Sequence, residues 1–437
     1  MESKQEKSMS IVMVPYLAHG HVSPFYEFAK KLSNKGFHIY FCSTPICLEP
    51  IRNNNNHFDN HQIKLIDLQL PSSFHQQLPP HYHSTKNLPH HLMNTLLAAF
   101  DASKPAFSDI LKTLRPELVI YDGFQPWAAE AARELNIEAV LFITGVQSQK
   151  IPKVTECNKE QMDCFFKNSV NGMTPIQRFL KCVTSSSGHM VLIKSSTEIQ
   201  AKFGKPEDVF GDVVPVGPLV QRPLDHDGDE KIMDWLNKKE ASSVVFVSFG
   251  SENFLSQEEI EEMAHGLELS NVDFIWVVRF EGEINNVKKT IHEALPQGFL
   301  ERIQIQGKGL IIDWAPQVKI LAHTSSGGFV SHCGWNSTLE AMMYGVPIIA
   351  IPLQFDQPLN ANLVVDMGVA IEVPARREKK ITRQEVAKAI KTVVVEEQGK
   401  EVRRRAKEWS ENWKKKEDEE FHVAVEKLLQ LVQQSKK

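Results

Sequence analysis

Two groups of residues have the types and spacing that group-transfer chemistry needs. The first is His332-Cys333-Gly334-Trp335-Asn336-Ser337, which follows the apolar Gly328–Ser331 and precedes a helix expected to start near Thr338. A helix N-terminus offers unpaired N–H groups and positive dipole density, which suits a diphosphate. His332, Asn336 and Ser337 add side-chain donors at that end. Trp314, at the C-terminal edge of the preceding strand, offers an aromatic face for a base, and Glu340 could accept from ribose hydroxyls. The same spacing also fits a capping box of Ser337 with Glu340 and a core position for Trp314, and the residues alone leave both readings open. The second group is His21, in His19-Gly20-His21-Val22-Ser23-Pro24, with Asp122 at the end of another apolar run. An imidazole can abstract a proton near neutral pH, and a carboxylate can fix its tautomer and stabilise the imidazolium.

The elements that must position these groups read as alternating strands and helices. In the first half the apolar runs are Ile11–Pro15, Ile39–Cys42, Lys64–Leu68, Leu118–Asp122, Ala139–Ile143 and Met190–Ile193. Several lack polar alternation, as expected of strands buried on both faces of a parallel sheet. Helices are expected over Pro24–Lys35 and Gln125–Leu135. The second half repeats the pattern with Ser243–Phe249, Phe274–Val278, Leu310–Asp313, Gly328–Ser331, Pro347–Ile351 and Ala370–Val373. Capping boxes at Ser256–Glu259 and Thr382–Glu385 open two of its helices. A proline-bearing stretch, Val216–Asp229, reads as a linker, and the charged Lys400–Glu420 as exposed helix. The expected organisation is an N-terminal domain over 1–217, a linker over 218–230 and a C-terminal domain over 231–410. A helix over 411–437 is expected to pack back toward the first domain. Strand, helix, strand throughout means α/β, with two doubly wound, Rossmann-like domains.

Composition narrows the class. The 437 residues hold 49 Lys plus Arg against 54 Asp plus Glu, a net charge of −5, with no basic excess to bind nucleic acid or an anionic membrane. No apolar stretch approaches the roughly 18 residues of a spanning helix. The polar start, Met1–Ser10, does not read as a signal peptide, and six Cys without a CxxC pair read as reduced thiols. A cytoplasmic monomer is expected. Seven of the 17 His lie between His57 and His91 among Asn, Gln and Pro, and read as a polar surface loop. Asp225-His226-Asp227-Gly228-Asp229 is followed by Glu230 where an EF-hand loop needs Gly, so no metal site is expected. The absence of G-x-G-x-x-G removes the main support for an NAD-dependent oxidoreductase.

The 44 positions Trp314–Gln357 resemble, nearly residue for residue, the signature box of plant family-1 UDP-sugar-dependent glycosyltransferases. Its W-A-P-Q start, H-C-G-W-N-S centre, following Glu, G-V-P and terminal Asp-Gln all stand in place. Val247–Ser251, Val216-Gly217-Pro218 and the His21 segment extend the resemblance. It implies the GT-B architecture, two Rossmann-like domains facing a cleft, and it assigns acceptor binding to the N-terminal domain and UDP-sugar binding to the C-terminal one.

By matching position, the resemblance implies that Trp314 stacks on uracil, that Ala315 meets the base through its backbone, and that Gln317 and Glu340 hold the ribose. It implies that His332, Asn336, Ser337 and Ser251 bind the diphosphate, that Trp335, Asp356 and Gln357 read the sugar, and that Thr144 joins the donor site. The family's H-x-x-P pattern selects His21 over His19, and its Asp…Trp pattern selects Asp122 with Trp127. Val146–Lys150, after Thr144-Gly145, stands where relatives usually carry a longer apolar segment, so the acceptor pocket is expected to differ. Phe37–Thr44 and Phe249–Glu252 resemble the glycoside-branching subgroup, with Asn253 in place of its usual aromatic residue.

The expected function is inverting transfer of glucose from UDP-glucose, a co-substrate, to a hydroxyl of a small acceptor, with no cofactor and no metal. The favoured acceptor is a sugar hydroxyl of a terpenoid or flavonoid glycoside. A glucosyltransferase of the bare aglycone and a non-catalytic UDP-sugar-binding protein are the alternatives, the latter disfavoured because nucleotide binding needs neither His21 nor Asp122.

Overall fold

The computed structural model describes residues 9–54, 62–86, 88–145, 169–203, 211–223, 229–280, 291–374 and 381–435. These fall into two compact units. The first draws on Met1–Lys150, Asp163–Leu219 and Glu417–Lys437, the second on Val220–Lys416.

The first unit is built on seven strands: β1 (Ser10–Val14), β2 (His38–Ser43), β3 (Ile63–Asp67), β4 (Leu118–Tyr121), β5 (Glu138–Ile143), β6 (Met190–Ile193) and β7 (Asp212–Pro215). Their spatial order is β3-β2-β1-β4-β5-β6-β7, and every pairing is parallel. The unbroken apolar runs follow from burial on both faces. Val12, Val14, Val119 and Tyr121 enter one core layer, while Ile11, Met13, Leu118 and Ile120 enter the other. β7 went unread in the sequence. It is a short edge strand ending in Pro215, and an edge tolerates a residue that cannot donate to the ladder.

The second unit repeats the plan with β8 (Val244–Ser248), β9 (Asp273–Val277), β10 (Gly309–Ile312), β11 (Ser326–Ser331), β12 (Ile348–Ala350) and β13 (Ala370–Glu372). Their order is β10-β9-β8-β11-β12-β13, again all parallel. In each sheet the order reverses between the first and fourth strands, which are β1 and β4, then β8 and β11. In open parallel sheets, ligands bind beyond the carboxyl ends of the strands at such a reversal.

Several expectations need correction. The first helix runs His19–Ser33 rather than starting at Pro24, and the signature-box helix runs Trp335–Tyr344 rather than starting at Thr338. Their N-caps, Ala18 and Gly334, make no side-chain cap, so the usual Ser/Thr/Asp signal of a helix start is missing. Val216 and Leu219 are core residues of the first unit rather than linker. Asp229 is buried and pairs with Lys319 at 2.9 Å, while residues 225–228 lie outside the described residues. The last helix is one piece, Lys400–Ser435. Within it Phe421, Ala424, Val425, Leu428 and Val432 belong to the first unit's core.

The histidine-rich region is not simply a surface loop. His83 is 3% exposed, with its Nε2 3.0 Å from the Leu78 carbonyl and its own carbonyl accepting from Thr44 Oγ1 at 2.8 Å. Burial lowers its pKa, so this ring is a neutral structural group. Residues 55–61 and 87 of that region lie outside the described residues. Among the described residues no group of His, Cys, Asp and Glu could hold a metal ion, and no helix is long and apolar enough to cross a membrane.

Candidate active site

At the first sheet's reversal point, Val14 of β1 is level with Tyr121 of β4. The residues that follow each strand therefore meet at one edge. His21 stands in the first turn of the helix after β1, and Asp122 directly follows β4. Nδ1 of His21 lies 2.8 Å from Asp122 Oδ2 and 3.0 Å from Thr144 Oγ1, which follows β5. The Asp122 side chain is 3% exposed and the imidazole 26% exposed, so the carboxylate is enclosed while the ring reaches solvent. Tyr16 and Phe124 present their edges or faces to this ring, each with centroids 5.5 Å from it and nearly perpendicular. The same two rings stack on each other at 4.7 Å. A buried carboxylate, a hydroxyl and two aromatic walls thus fix the orientation of one partly exposed imidazole.

At the second sheet's reversal point Ser248 of β8 is level with Ser331 of β11. Past β8 the chain turns through Gly250 at φ +79°, and past β11 through Cys333 at φ +63°. The His332 ring fills the space between these turns. A Cβ on Gly250 would lie 2.8 Å from it and one on Gly334 would lie 2.4 Å from its Nε2. Burial lowers the His332 pKa to about 4; the nearby Ser248 carbonyl favours the charged form but does not outweigh desolvation. Nδ1 of His332 makes no hydrogen bond of ordinary geometry among the described residues. The helix that follows starts at Trp335 on Gly334, which has no side chain to occupy its first N–H groups.

The structure decides the readings left open for the signature box. Ser337 is not a cap but lies inside the helix, where its Oγ accepts from Gln317 Nε2 at 3.0 Å; Gln317 also donates to Glu340 Oε2 at 2.6 Å. Trp314 is 53% exposed, not core, and lies beyond β10 beside Ala315. This edge carries an exposed indole, an amide–hydroxyl–carboxylate cluster and a helix start without a side-chain cap.

Of the residues expected to read the sugar, the Trp335 indole is buried and Asp356 is half-buried, with its Oδ2 accepting from Asn360 at 3.0 Å. The Gln357 oxygen is committed to its own turn, accepting from the N–H groups of Leu353 and Gln354 at 2.9 Å each. Ser251 is half-buried just past Gly250. Thr144 is brought to His21 in the first unit. Trp127 packs in the core against Phe100 and Phe107, so it supports the site from beneath.

Comparison with known proteins bears on the chemistry. A family profile described as "UDP-glucoronosyl and UDP-glucosyl transferase" matches residues 182–406, and a glycosyltransferase N-terminal-domain profile matches residues 7–210. A flavanone 7-O-glucoside 2''-O-β-L-rhamnosyltransferase of Citrus maxima is 47% identical, covering 100% of this chain and 100% of its own. The chain belongs to the plant family-1 UDP-glycosyltransferases.

UDP-glucosyltransferase 29 of Panax ginseng is 44% identical to this glycosyltransferase over 99% of each chain. At the level of fold, Glycyrrhiza uralensis UGT73P12 matches with a TM-score of 0.80 and 22% identity, covering 98% of this chain and 96% of that one. Both Rossmann-like sheets of the GT-B fold are therefore accounted for in this enzyme. The expected segment Val146–Lys150 lies outside the described residues.

Sequence reasoning missed three contributors to the site. Tyr16 and Phe124 wall the imidazole, and Gln354 joins Asn253 and Gln357 in an amide cluster. Asn253 and Gln354 each adjoin a recognised motif, which was the available signal. The Tyr16 contact depends on how two strand ends meet, and no local pattern encodes it.

Proposed function

We propose that this glycosyltransferase moves glucose from UDP-glucose to a sugar hydroxyl of a terpenoid or flavonoid glycoside, with inversion at the anomeric carbon. The observation that carries the catalytic step is the 2.8 Å contact between His21 Nδ1 and Asp122 Oδ2. A carboxylate can only accept, so it holds the proton on Nδ1 and leaves the lone pair on Nε2. Nε2 takes the acceptor's hydroxyl proton as the acceptor oxygen attacks the anomeric carbon from the face opposite UDP. The bond from that carbon to the diphosphate oxygen breaks, and UDP departs with the electron pair. Asp122 stabilises the imidazolium that forms.

The departing charge would be met by the helix start at Trp335 and by the His332 and Ser337 donors, so the reading needs no metal. His332, neutral at physiological pH, would serve as a hydrogen-bond donor rather than a cation.

Glucose is supported by Gln357 at the box end and by likeness to a protein named a glucosyltransferase. A glycoside acceptor is supported by the branching-subgroup segments and by the relative named for a flavanone 7-O-glucoside. Sugar hydroxyls without partners cost about 1–3 kcal/mol each, so a site built for them should discriminate clearly. The test compares kcat/KM for matched glucoside and aglycone pairs, with UDP-glucose and UDP-rhamnose as donors and with EDTA present. The expected result is a glucoside preference of about tenfold or more with UDP-glucose, unaffected by EDTA. Aglycone preference across several scaffolds would instead make this an aglycone glucosyltransferase.

A further inference from the structure

The loop after β8 and the loop after β12 are tied together by three amides. Asn253 Nδ2 donates to the Phe249 carbonyl at 3.0 Å, which anchors it to its own loop and aims its Oδ1 away. That oxygen accepts from Gln354 Nε2 at 2.8 Å and from Gln357 Nε2 at 3.4 Å. Gln357 in turn accepts from the Leu353 and Gln354 N–H groups at 2.9 Å each. Between the two glutamines the backbone of Phe355 is left-handed, at φ +56°. For a bulky residue this conformation costs on the order of 1 kcal/mol and persists only where the surroundings over-determine it. The next residue is Asp356, gripped on its other side by Asn360, which also donates to the Cys333 carbonyl at 2.8 Å. The strained turn, its internal amide bonds and the Asn253 bridge all act on the placement of one half-buried carboxylate.

We propose that Asn253 is a positioning residue for donor choice: by clamping the Gln354–Gln357 loop to the Phe249–Ser251 loop, it sets where Asp356 and Gln357 meet the transferred sugar. The inference rests on the proposed role of those two residues as readers of the sugar. Asn253 makes no hydrogen bond to His332, Ser337, Gln317 or Glu340 among the described residues, and of the proposed nucleotide contacts only Ser251 shares its loop, so its influence should fall mainly on the sugar. A sugar differs from its 6-deoxy or epimeric counterparts by the placement of single hydroxyls. A displacement of about 1 Å in the carboxylate that reads them can therefore cost as much as 10²-fold in rate.

The experiment measures Kd for UDP and kcat/KM for UDP-glucose and UDP-rhamnose in wild type, Asn253→Ala, Asn253→Asp and Gln354→Ala. Asn253→Ala is expected to keep the Kd for UDP within about twofold while lowering kcat/KM with the preferred donor by about 10- to 100-fold and narrowing the ratio between donors. Asn253→Asp keeps the oxygen that both glutamines use but loses the donor to the Phe249 carbonyl, and its donor ratio is expected to fall between those of wild type and Asn253→Ala. Gln354→Ala removes the shorter of the bridge's two bonds from the other loop, should narrow the ratio in the same direction, and carries the test if Asn253→Ala does not fold. A donor ratio within twofold of wild type in folded Asn253→Ala or Gln354→Ala would overturn the proposal. So would a loss of UDP affinity parallel to the loss of transfer, which marks a general structural role. Failure of the wild type itself to bind UDP or transfer sugar would instead strike the functional reading beneath it.

Discussion

Burial gives two histidines in this enzyme opposite characters. His21 keeps its ring partly in solvent against an enclosed carboxylate, the arrangement of a proton acceptor held in one tautomer. His332 is enclosed, and desolvation lowers its pKa from 6.5 to about 4. As pH falls, the unfolded chain therefore takes up this proton before the folded one does. Stability from the neutral ring is intact above about pH 6.5 and is lost as pH falls toward about 4, by on the order of 3 kcal/mol in all. Replacing it in His332→Gln should flatten the pH dependence of the thermal midpoint across that window. Parallel curves for variant and wild type would show that the ring is not held neutral by burial. The residue types at both sites were legible in the sequence because each follows an apolar strand. The Tyr16 and Phe124 walls and the amide bridge at Asn253 were not, since they arise where separate loops converge.

The helices divide by how they begin. Those opened by Ser256 and Thr382 carry a side-chain cap, accepting from the N–H groups of Glu259 and Glu385, and the sequence placed their starts correctly. The two that carry the candidate sites begin on Ala18 and Gly334, without a side-chain cap, and their starts were read three to five residues late. At the second site a start without a side-chain cap suits the proposed diphosphate contact, because a helix N-terminus favours negative charge; at the first site the proposed chemistry lies in the His21 ring. Gly334 is where this can be tested. A methyl group there would meet His332 Nε2 at 2.4 Å, and the ring has Gly250 against it on another side. Gly334→Ala should therefore raise the Kd for UDP by about tenfold or more, alongside an overpacking cost of about 1–3 kcal/mol read from denaturant unfolding. Unchanged UDP affinity in this variant would remove His332 and the helix start from the nucleotide site.

Each unit's parallel sheet reverses strand order once, and the candidate residues stand at those reversals: His21 and Asp122 beyond β1 and β4, Ser251 and His332 beyond β8 and β11. This plan was readable from runs of Val, Ile and Phe without polar alternation, since strands covered on both faces need no polar side. Domain edges were less readable. Val216 and Leu219 enter the first unit's core, and the last helix starts at Lys400 and contributes Phe421, Leu428 and Val432 to that same core. Its dense surface charge masked the apolar stripe. The proposed chemistry divides in the same way, with the proposed base in the first unit and the proposed nucleotide site in the second. A single comparison tests that division: transfer from UDP-glucose to a flavonoid glucoside, together with calorimetric UDP binding, for wild type and His21→Ala. Wild type is expected to form the extended glycoside, while His21→Ala loses about 10²–10⁴-fold in rate and binds UDP with unchanged affinity. Transfer by His21→Ala within about threefold of wild type, or a matching loss of UDP affinity, would contradict that division.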